Sequence, residues 1–257
     1  FSITLLAGLS TVIGSLIVLF NKSQNKSWLS FSMAFAAGVM LYISFVEIIP
    51  DSIHVFKNQN ATFFISNAYI NFGLFFLSGC ALALFLEKFL PDHKISDKIN
   101  SGLSTKRKIY RSGVLIAISL AIHNFPEGII TFMECYTNLF SGLVLALAIA
   151  LHNIPEGIAV SVPIYYATKS KRKAFYISFL SGLAEPIGAL IGFLIFRTVF
   201  NEALFGISFA FCAGIMVYVA LNELLPVAKE YGEPSDTIIG VTIGMIIMAI
   251  SLIMMYA

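Results

Sequence analysis

His-Asn-Phe-Pro-Glu-Gly at 123–128 and His-Asn-Ile-Pro-Glu-Gly at 152–157 are two copies of nearly one hexapeptide, 29 residues apart. In each, an imidazole and a carboxylate stand four residues apart, which places them on one face of a helix. Both copies lie in stretches that otherwise read as membrane, where ionisable groups are costly and mark a pathway or a site. The proline three residues after each histidine removes a backbone donor and opens the helix ladder. The same expensive group, occurring twice, points to a divalent metal held between two facing helices.

A third carboxylate, Glu185, precedes a proline in Ser-Gly-Leu-Ala-Glu-Pro. His123 lies twelve residues past Arg111, and His152 and Glu185 each lie eleven past the expected starts of their spans. At ~1.5 Å rise per residue each is ~17 Å deep, near the bilayer midplane. His123, Asn124, Glu127, His152, Asn153, Glu156 and Glu185 thus share one level. One or two divalent cations would hold such carboxylates ionised. Imidazole with carboxylate and amide oxygens suits Zn²⁺, Fe²⁺, Mn²⁺, Co²⁺ or Cd²⁺ rather than Cu(I).

Pro126 and Pro155 leave the carbonyls of Ile122 and Leu151 without their helical donors. Gly128 and Gly157 permit close helix approach, as small residues do at membrane interfaces. The bland alternatives are a simple kink for each proline and a helix–helix hydrogen bond to a serine for Glu185. Met40 and Met216 suit core packing, with a soft-ligand role for Met40 as the alternative. Glu47, near the outer end of the second span, and Glu223, near the inner end of the seventh, either snorkel or serve as entrance and exit carboxylates. His54 and His93 are expected to face solvent.

The elements that must position these groups follow from composition. Of 257 residues, 58% are hydrophobic and only 12% charged, against about 25% charged in a soluble domain. Repeated apolar runs of about 20 residues meet the length of a ~30 Å hydrocarbon core. The expected fold is an all-α polytopic membrane protein, a single domain over 1–257 with spans near 1–20, 28–50, 69–90, 112–135, 141–164, 174–199, 203–227 and 236–257. A linker at 91–111 separates the third span from the fourth. The first segment has no basic run ahead of it and is read as a span rather than a cleavable signal. Cys80, Cys135 and Cys212 imply no disulfide framework. A net charge of +2, its cations confined to loops, argues against a nucleic-acid partner.

Loops after odd-numbered spans carry thirteen lysines and arginines, and loops after even-numbered spans carry two, Lys57 and Arg197. The positive-inside rule then puts the odd loops in the cytoplasm and both termini outside. A second repeat fixes the architecture. Phe35-Ala-Ala-Gly-Val-Met-Leu-Tyr with Glu47-Ile-Ile-Pro matches Phe211-Cys-Ala-Gly-Ile-Met-Val-Tyr with Glu223-Leu-Leu-Pro at an offset of 176. These are the second and seventh spans, which cross in opposite directions. Inverted repeats with broken helices and midplane polar groups are the signature of secondary transporters.

The doubled motif, the third-helix glutamate and the eight-span layout resemble the ZIP family of metal transporters, and a bacterial branch of it above all. The resemblance covers nearly the whole chain. It implies a 3+2+3 arrangement of spans and a binuclear site. His123, His152, Glu127 and Glu156 would match one metal position, and Asn124, Asn153, Glu127, Glu156 and Glu185 the second, with glutamates bridging. It also implies import of Zn²⁺, and of Fe²⁺, Mn²⁺, Co²⁺ or Cd²⁺, into the cytoplasm across a bacterial plasma membrane, by a homodimer without a catalytic cofactor. Two features depart from other members. The 91–111 linker has one histidine, His93, in place of a cluster, and the fifth span lacks a His-Glu-x-x-His-Glu variant.

The rival class is an intramembrane metalloenzyme, a protease or di-metal oxidase. Such proteases carry His-Glu-x-x-His with a glutamate kept free as general base. Di-iron carboxylate sites use Glu-x-x-His, the opposite order. Here glutamate closes each His-x-x-x-Glu unit and every acid serves as a ligand, so an importer is expected and an enzyme is not.

Overall fold

Only helices appear among the residues that the computed structural model describes, which are 1–20, 25–58, 67–89, 101–196 and 202–256. Eight are long and apolar enough to cross a bilayer: α1 (Ser2–Phe20), α2 (Lys26–Asn58), α3 (Ala68–Lys88), α4 (Thr105–Thr137), α5 (Leu139–Thr168), α6 (Lys171–Leu194), α7 (Ala203–Tyr231) and α8 (Pro234–Met254). Large apolar side chains such as Leu74, Leu77, Ile246 and Ile253 face outward from α3 and α8. In a bilayer that surface is ordinary, because lipid is its solvent. The chain is an all-α polytopic membrane protein.

Two helices run further than their apolar cores suggest. The helix that becomes α4 begins at Ser101, so residues 101–111, read from sequence as linker, are helical. Residues 91–100, with His93, lie outside the described residues. The second helix continues past Pro50 to Asn58. Proline cannot donate, and its ring crowds the carbonyl four residues back. The chain responds by widening at Ser44–Ile48, where the Ile49 N–H reaches back five residues to the Ser44 carbonyl. At Ala220–Leu224 the Leu225 N–H reaches Ala220 in the same way, just before Pro226. The two wide turns are separated by 176 residues, the offset of the sequence repeat. Each carries one of the outlying glutamates, Glu47 and Glu223.

Short, capped connections set the antiparallel neighbours. Asn138 alone separates α4 from α5, and its side chain accepts from the N–H groups of Phe140 and Ser141 at 3.0 and 3.2 Å. That cap satisfies donors a helix start otherwise leaves orphaned. Between α5 and α6, Lys169 takes the left-handed conformation (φ 55°) and Ser170 caps the next helix by accepting from the Lys173 N–H. In α6 the helix breaks at Leu183, and Glu185 and Pro186 open the next turn.

Close contacts between helices repeat with the same inverted symmetry. A methyl on Gly38 would overlap the Val241 carbonyl of α8, and one on Gly214 would overlap the Phe76 carbonyl of α3. The pairs α2/α8 and α7/α3 are therefore copies of one packing. In the other half, Gly157 abuts the Thr11 carbonyl and Gly14 that of Ile154, while Gly128 abuts Glu185 and Gly188 abuts Phe125. The pairs α5/α1 and α4/α6 are thus copies as well. Helices α1, α4, α5 and α6 form one group around the two hexapeptides, with α2 and α7 packed on its flank.

Gly157→Ala drives a methyl into the Thr11 backbone, whereas Gly73 has no atom within 4 Å of an added methyl. Overpacking of this kind costs about 1–3 kcal/mol. The expected outcome is a clearly lower unfolding temperature in detergent for Gly157→Ala, and an unchanged or slightly higher one for Gly73→Ala. Equal melting of the two variants would contradict the packing.

Candidate metal centre

Because α4 and α5 run antiparallel, the doubled motif brings unlike groups level with each other. His123 meets Glu156, its Nε2 lying 3.1 Å from Oε1. His152 meets Glu127, with Nε2 3.4 Å from Oε2. Glu127 also lies 3.6 Å from the imidazole of His123 on its own helix. Ligand atoms of His123, His152 and Glu156 all fall within 4.8 Å of one another. Proline and glycine make this meeting possible: Gly128 lets α6 approach α4, and Gly157 lets α1 approach α5.

The amides complete the cluster. Asn153 donates to Glu185 Oε2 at 2.8 Å and to the Ala7 carbonyl at 3.0 Å. Asn124, with its amide nitrogen turned inward, reaches the Leu120 carbonyl at 3.0 Å, His123 Nε2 at 2.9 Å and Glu156 Oε2 at 3.3 Å. All seven residues are buried, none more than 4% exposed. Asn153 Oδ1 and Glu185 Oε1 are buried with no hydrogen-bond partner. Orphaned acceptors at this depth are expensive, and a cation offsets them. Three carboxylates with neutral imidazoles carry three negative charges, a load suited to one or two divalent ions.

The remaining sequence candidates lie elsewhere. Met40 is buried in the main apolar core, as is Met216, which accepts a weak bond from Ser44 Oγ at 3.8 Å. Glu47 lines a cleft whose floor is Glu127 and His152. Glu223 lines a second cleft, between α4 and α7 at the opposite end, where it accepts from Ser112 Oγ at 2.6 Å. His54 is exposed and bonds to Asn58.

Sequence reasoning passed over two neighbours of the site. Asp51 shares the first cleft with Glu47, and its position four residues later on the same helix was the signal. Cys212 donates to the His123 carbonyl at 3.5 Å. Nothing in its spacing announces that, because the contact depends on how α7 crosses α4.

Buried, paired His–Glu units between broken helices of an inverted repeat are the chemistry a carrier of divalent cations requires. Comparison with known proteins gives the same class. The family model described as ZIP zinc transporter matches residues 1–111 and 92–252. A zinc transporter ZupT of Chlorobaculum parvum is 48% identical over 264 residues, covering 99% of this chain and 96% of its own. ZupT proteins of Streptococcus mutans and Clostridium perfringens are 45% and 41% identical, again with 99% of this chain covered. The chain belongs to the ZIP family and is ZupT-like; it is a transporter of divalent metal rather than an enzyme.

Among the described residues, Glu127 is the one carboxylate within 3.6 Å of both imidazoles. Glu127→Ala is expected to reduce equilibrium zinc affinity by at least tenfold, measured by titration calorimetry in detergent. Glu185→Gln, which keeps the bond from Asn153 in reach, should cost less. A reversed order would remove Glu127 from the centre of the ligand set.

Proposed function

We propose that this chain imports Zn²⁺ into the cytoplasm of a bacterial cell through a binuclear centre formed by α4, α5 and α6. His123, Glu127, His152 and Glu156 are its principal ligands, and Asn124, Asn153 and Glu185 complete the second position. One observation carries the reading: the cleft that begins at Glu47 and Asp51 ends on two members of the centre, Glu127 and His152. An ion entering there meets hard oxygen donors first and imidazole at the floor. Below the centre, α4 continues through Leu120 and Ile116, both buried, before the second cleft, lined by Leu115, Ser112 and Glu223, begins.

The described cations Lys108 and Arg111 line the Glu223 cleft, and the positive-inside rule assigns that end to the cytoplasm. Both termini are then extracytoplasmic and the Glu47 cleft faces outward. The zinc relatives support Zn²⁺ as the main cargo, and the donor set admits Fe²⁺, Mn²⁺, Co²⁺ and Cd²⁺. Assembly as a homodimer in the plasma membrane rests on the family resemblance. Met40 is read as packing, and Glu47 and Glu223 as mouth carboxylates that concentrate cations without binding the settled ion. The test is zinc uptake into proteoliposomes with the other divalent ions as competitors. Uptake lost in both Glu127→Ala and Glu156→Ala, with membrane insertion retained, is the expected result.

Metal binding requires neutral imidazole and ionised carboxylate, so acid competes with zinc at the centre. Uptake should fall as the pH on the cleft side drops from about 7.5 to about 5.5, around the histidine reference of ~6.5. A flat profile counts against His123 and His152 as ligands.

Orientation has its own test. Cysteine at 47 should react with a membrane-impermeant reagent from outside, and cysteine at 223 only from the cytoplasmic side. Labelling of both from one side overturns the proposed topology.

A further inference from the structure

Helix α1 repeats α6. At an offset of 174, residues 3–16 and 177–190 share seven of fourteen identities, including Gly8 with Gly182 and Gly14 with Gly188. The two helices also make the same contacts. Gly14 abuts the Ile154 carbonyl of α5 and Gly188 the Phe125 carbonyl of α4, each two residues past the histidine of a hexapeptide. Where α1 crosses α6, a methyl on Gly182 would lie 3.1 Å from Thr11 Cβ, and one on Gly8 would lie 3.2 Å from Glu185 Cβ. Thr11 and Glu185 therefore occupy equivalent seats beside the metal centre, as an inverted repeat requires.

The two seats differ in what they present. Glu185 is fully buried, and its Oε2 accepts from Asn153 at 2.8 Å. Thr11 is equally buried, and its hydroxyl has no partner among the described residues. The fold uses the backbone of Thr11, whose carbonyl abuts Gly157 as the Glu185 carbonyl abuts Gly128. That contact makes no demand on the side chain. The asparagines respond to the difference. Asn153 turns to Glu185, whereas Asn124, its copy on α4, turns to His123 Nε2 at 2.9 Å and Glu156 Oε2 at 3.3 Å.

We propose that Thr11 sets the charge of the metal centre: it is an uncharged copy of the Glu185 seat, and it holds the cluster to three carboxylates. The inference rests on the midplane centre proposed above. Electrostatics decide the sign of the effect. A carboxylate in a low-dielectric interior attracts a divalent ion far more strongly than one in water. A transporter site must bind its ion well enough to capture it and weakly enough to let it leave. A fourth carboxylate at position 11 serves capture alone. With threonine there, the second ion is held from the α6 side only, by Glu185 and Asn153, and the α1 side adds no charge.

Thr11→Glu and Thr11→Gln crowd the seat equally and differ in charge. In the full chain, Thr11→Glu should bind zinc at least tenfold more tightly than Thr11→Gln, measured by titration calorimetry in detergent. Its zinc uptake in proteoliposomes should be at least fivefold slower. Equal affinities, or equal rates, overturn the proposal. A second measurement conserves both charge and volume. Glu185→Thr should weaken binding of the second zinc at least tenfold. Adding Thr11→Glu to that variant moves the carboxylate to the α1 seat and should restore binding to within threefold of the parent. In the exchanged chain the larger loss should pass from Asn153→Ala to Asn124→Ala, a transfer that a purely structural threonine does not produce. Absence of rescue, or a larger loss still at Asn153, refutes the equivalence of the seats. A parent chain that binds no zinc is a different result and removes the centre on which the inference rests.

Discussion

Hydrocarbon offers a buried charge no partner, and the protein is organised around that constraint. Glu127, Glu156 and Glu185 sit at the middle of a bilayer-length bundle with almost no exposure. Each leans on a neighbour: Glu127 on His152, Glu156 on His123, Glu185 on Asn153. These contacts orient the carboxylates, and an imidazole that binds metal must itself be neutral, so the balancing charge comes from the cation. Desolvation of several carboxylates together is tolerable only if cationic charge arrives. The cluster is therefore poorly suited as structural glue and well suited as a receptor for a divalent ion.

Backbone chemistry makes room for that cluster. Proline within a helix withholds one donor and distorts the turn before it, which is a defect in a soluble helix and a resource in a membrane. Pro50 and Pro226 widen α2 and α7 at the turns that carry Glu47 and Glu223. Pro126 and Pro155 sit between histidine and glutamate in the two central helices. Glycine then lets the irregular helices come together. Gly128 and Gly188 join α4 to α6, and Gly14 and Gly157 join α1 to α5, each against a carbonyl rather than a side chain. Lipid supplies no hydrophobic drive between helices, so this backbone-to-backbone fit is what holds them.

Much of this was legible in the sequence, for identifiable reasons. Membrane crossing is written in long apolar runs, and the histidine–glutamate pairs stand out because so little else in those runs is polar. The repeat at an offset of 176 announced the kinship of α2 and α7 before any contact was known. What sequence did not reveal depends on how helices cross. The extension of α2 to Asn58 reflects a π-helical turn that absorbs Pro50, where proline ordinarily suggests an end. Helical structure at 101–111 escaped notice because its lysines and arginines read as loop. Cys212 reaches the His123 carbonyl across two helices that are distant in the chain, and no local pattern encodes that approach.

The repeat is symmetric in its packing and asymmetric in its chemistry. At an offset of 174, Gly8 corresponds to Gly182, Gly14 to Gly188, and Thr11 to Glu185. The correspondence is physical: the Thr11 carbonyl meets Gly157 as the Glu185 carbonyl meets Gly128. Gly8 and Gly182 meet each other where α1 crosses α6. Two halves so alike would build a centre with identical faces if their side chains also matched. They do not match. One arm ends in a carboxylate bound to Asn153, and the other in a threonine hydroxyl with no partner. A second carboxylate at position 11 would add a fourth negative charge to a group already carrying three, with no further imidazole to orient it. Threonine keeps the backbone contact that the fold requires and omits the charge. The inverted architecture thus supplies two equivalent seats, and one difference between them, threonine against glutamate, leaves a single face of the cluster charged.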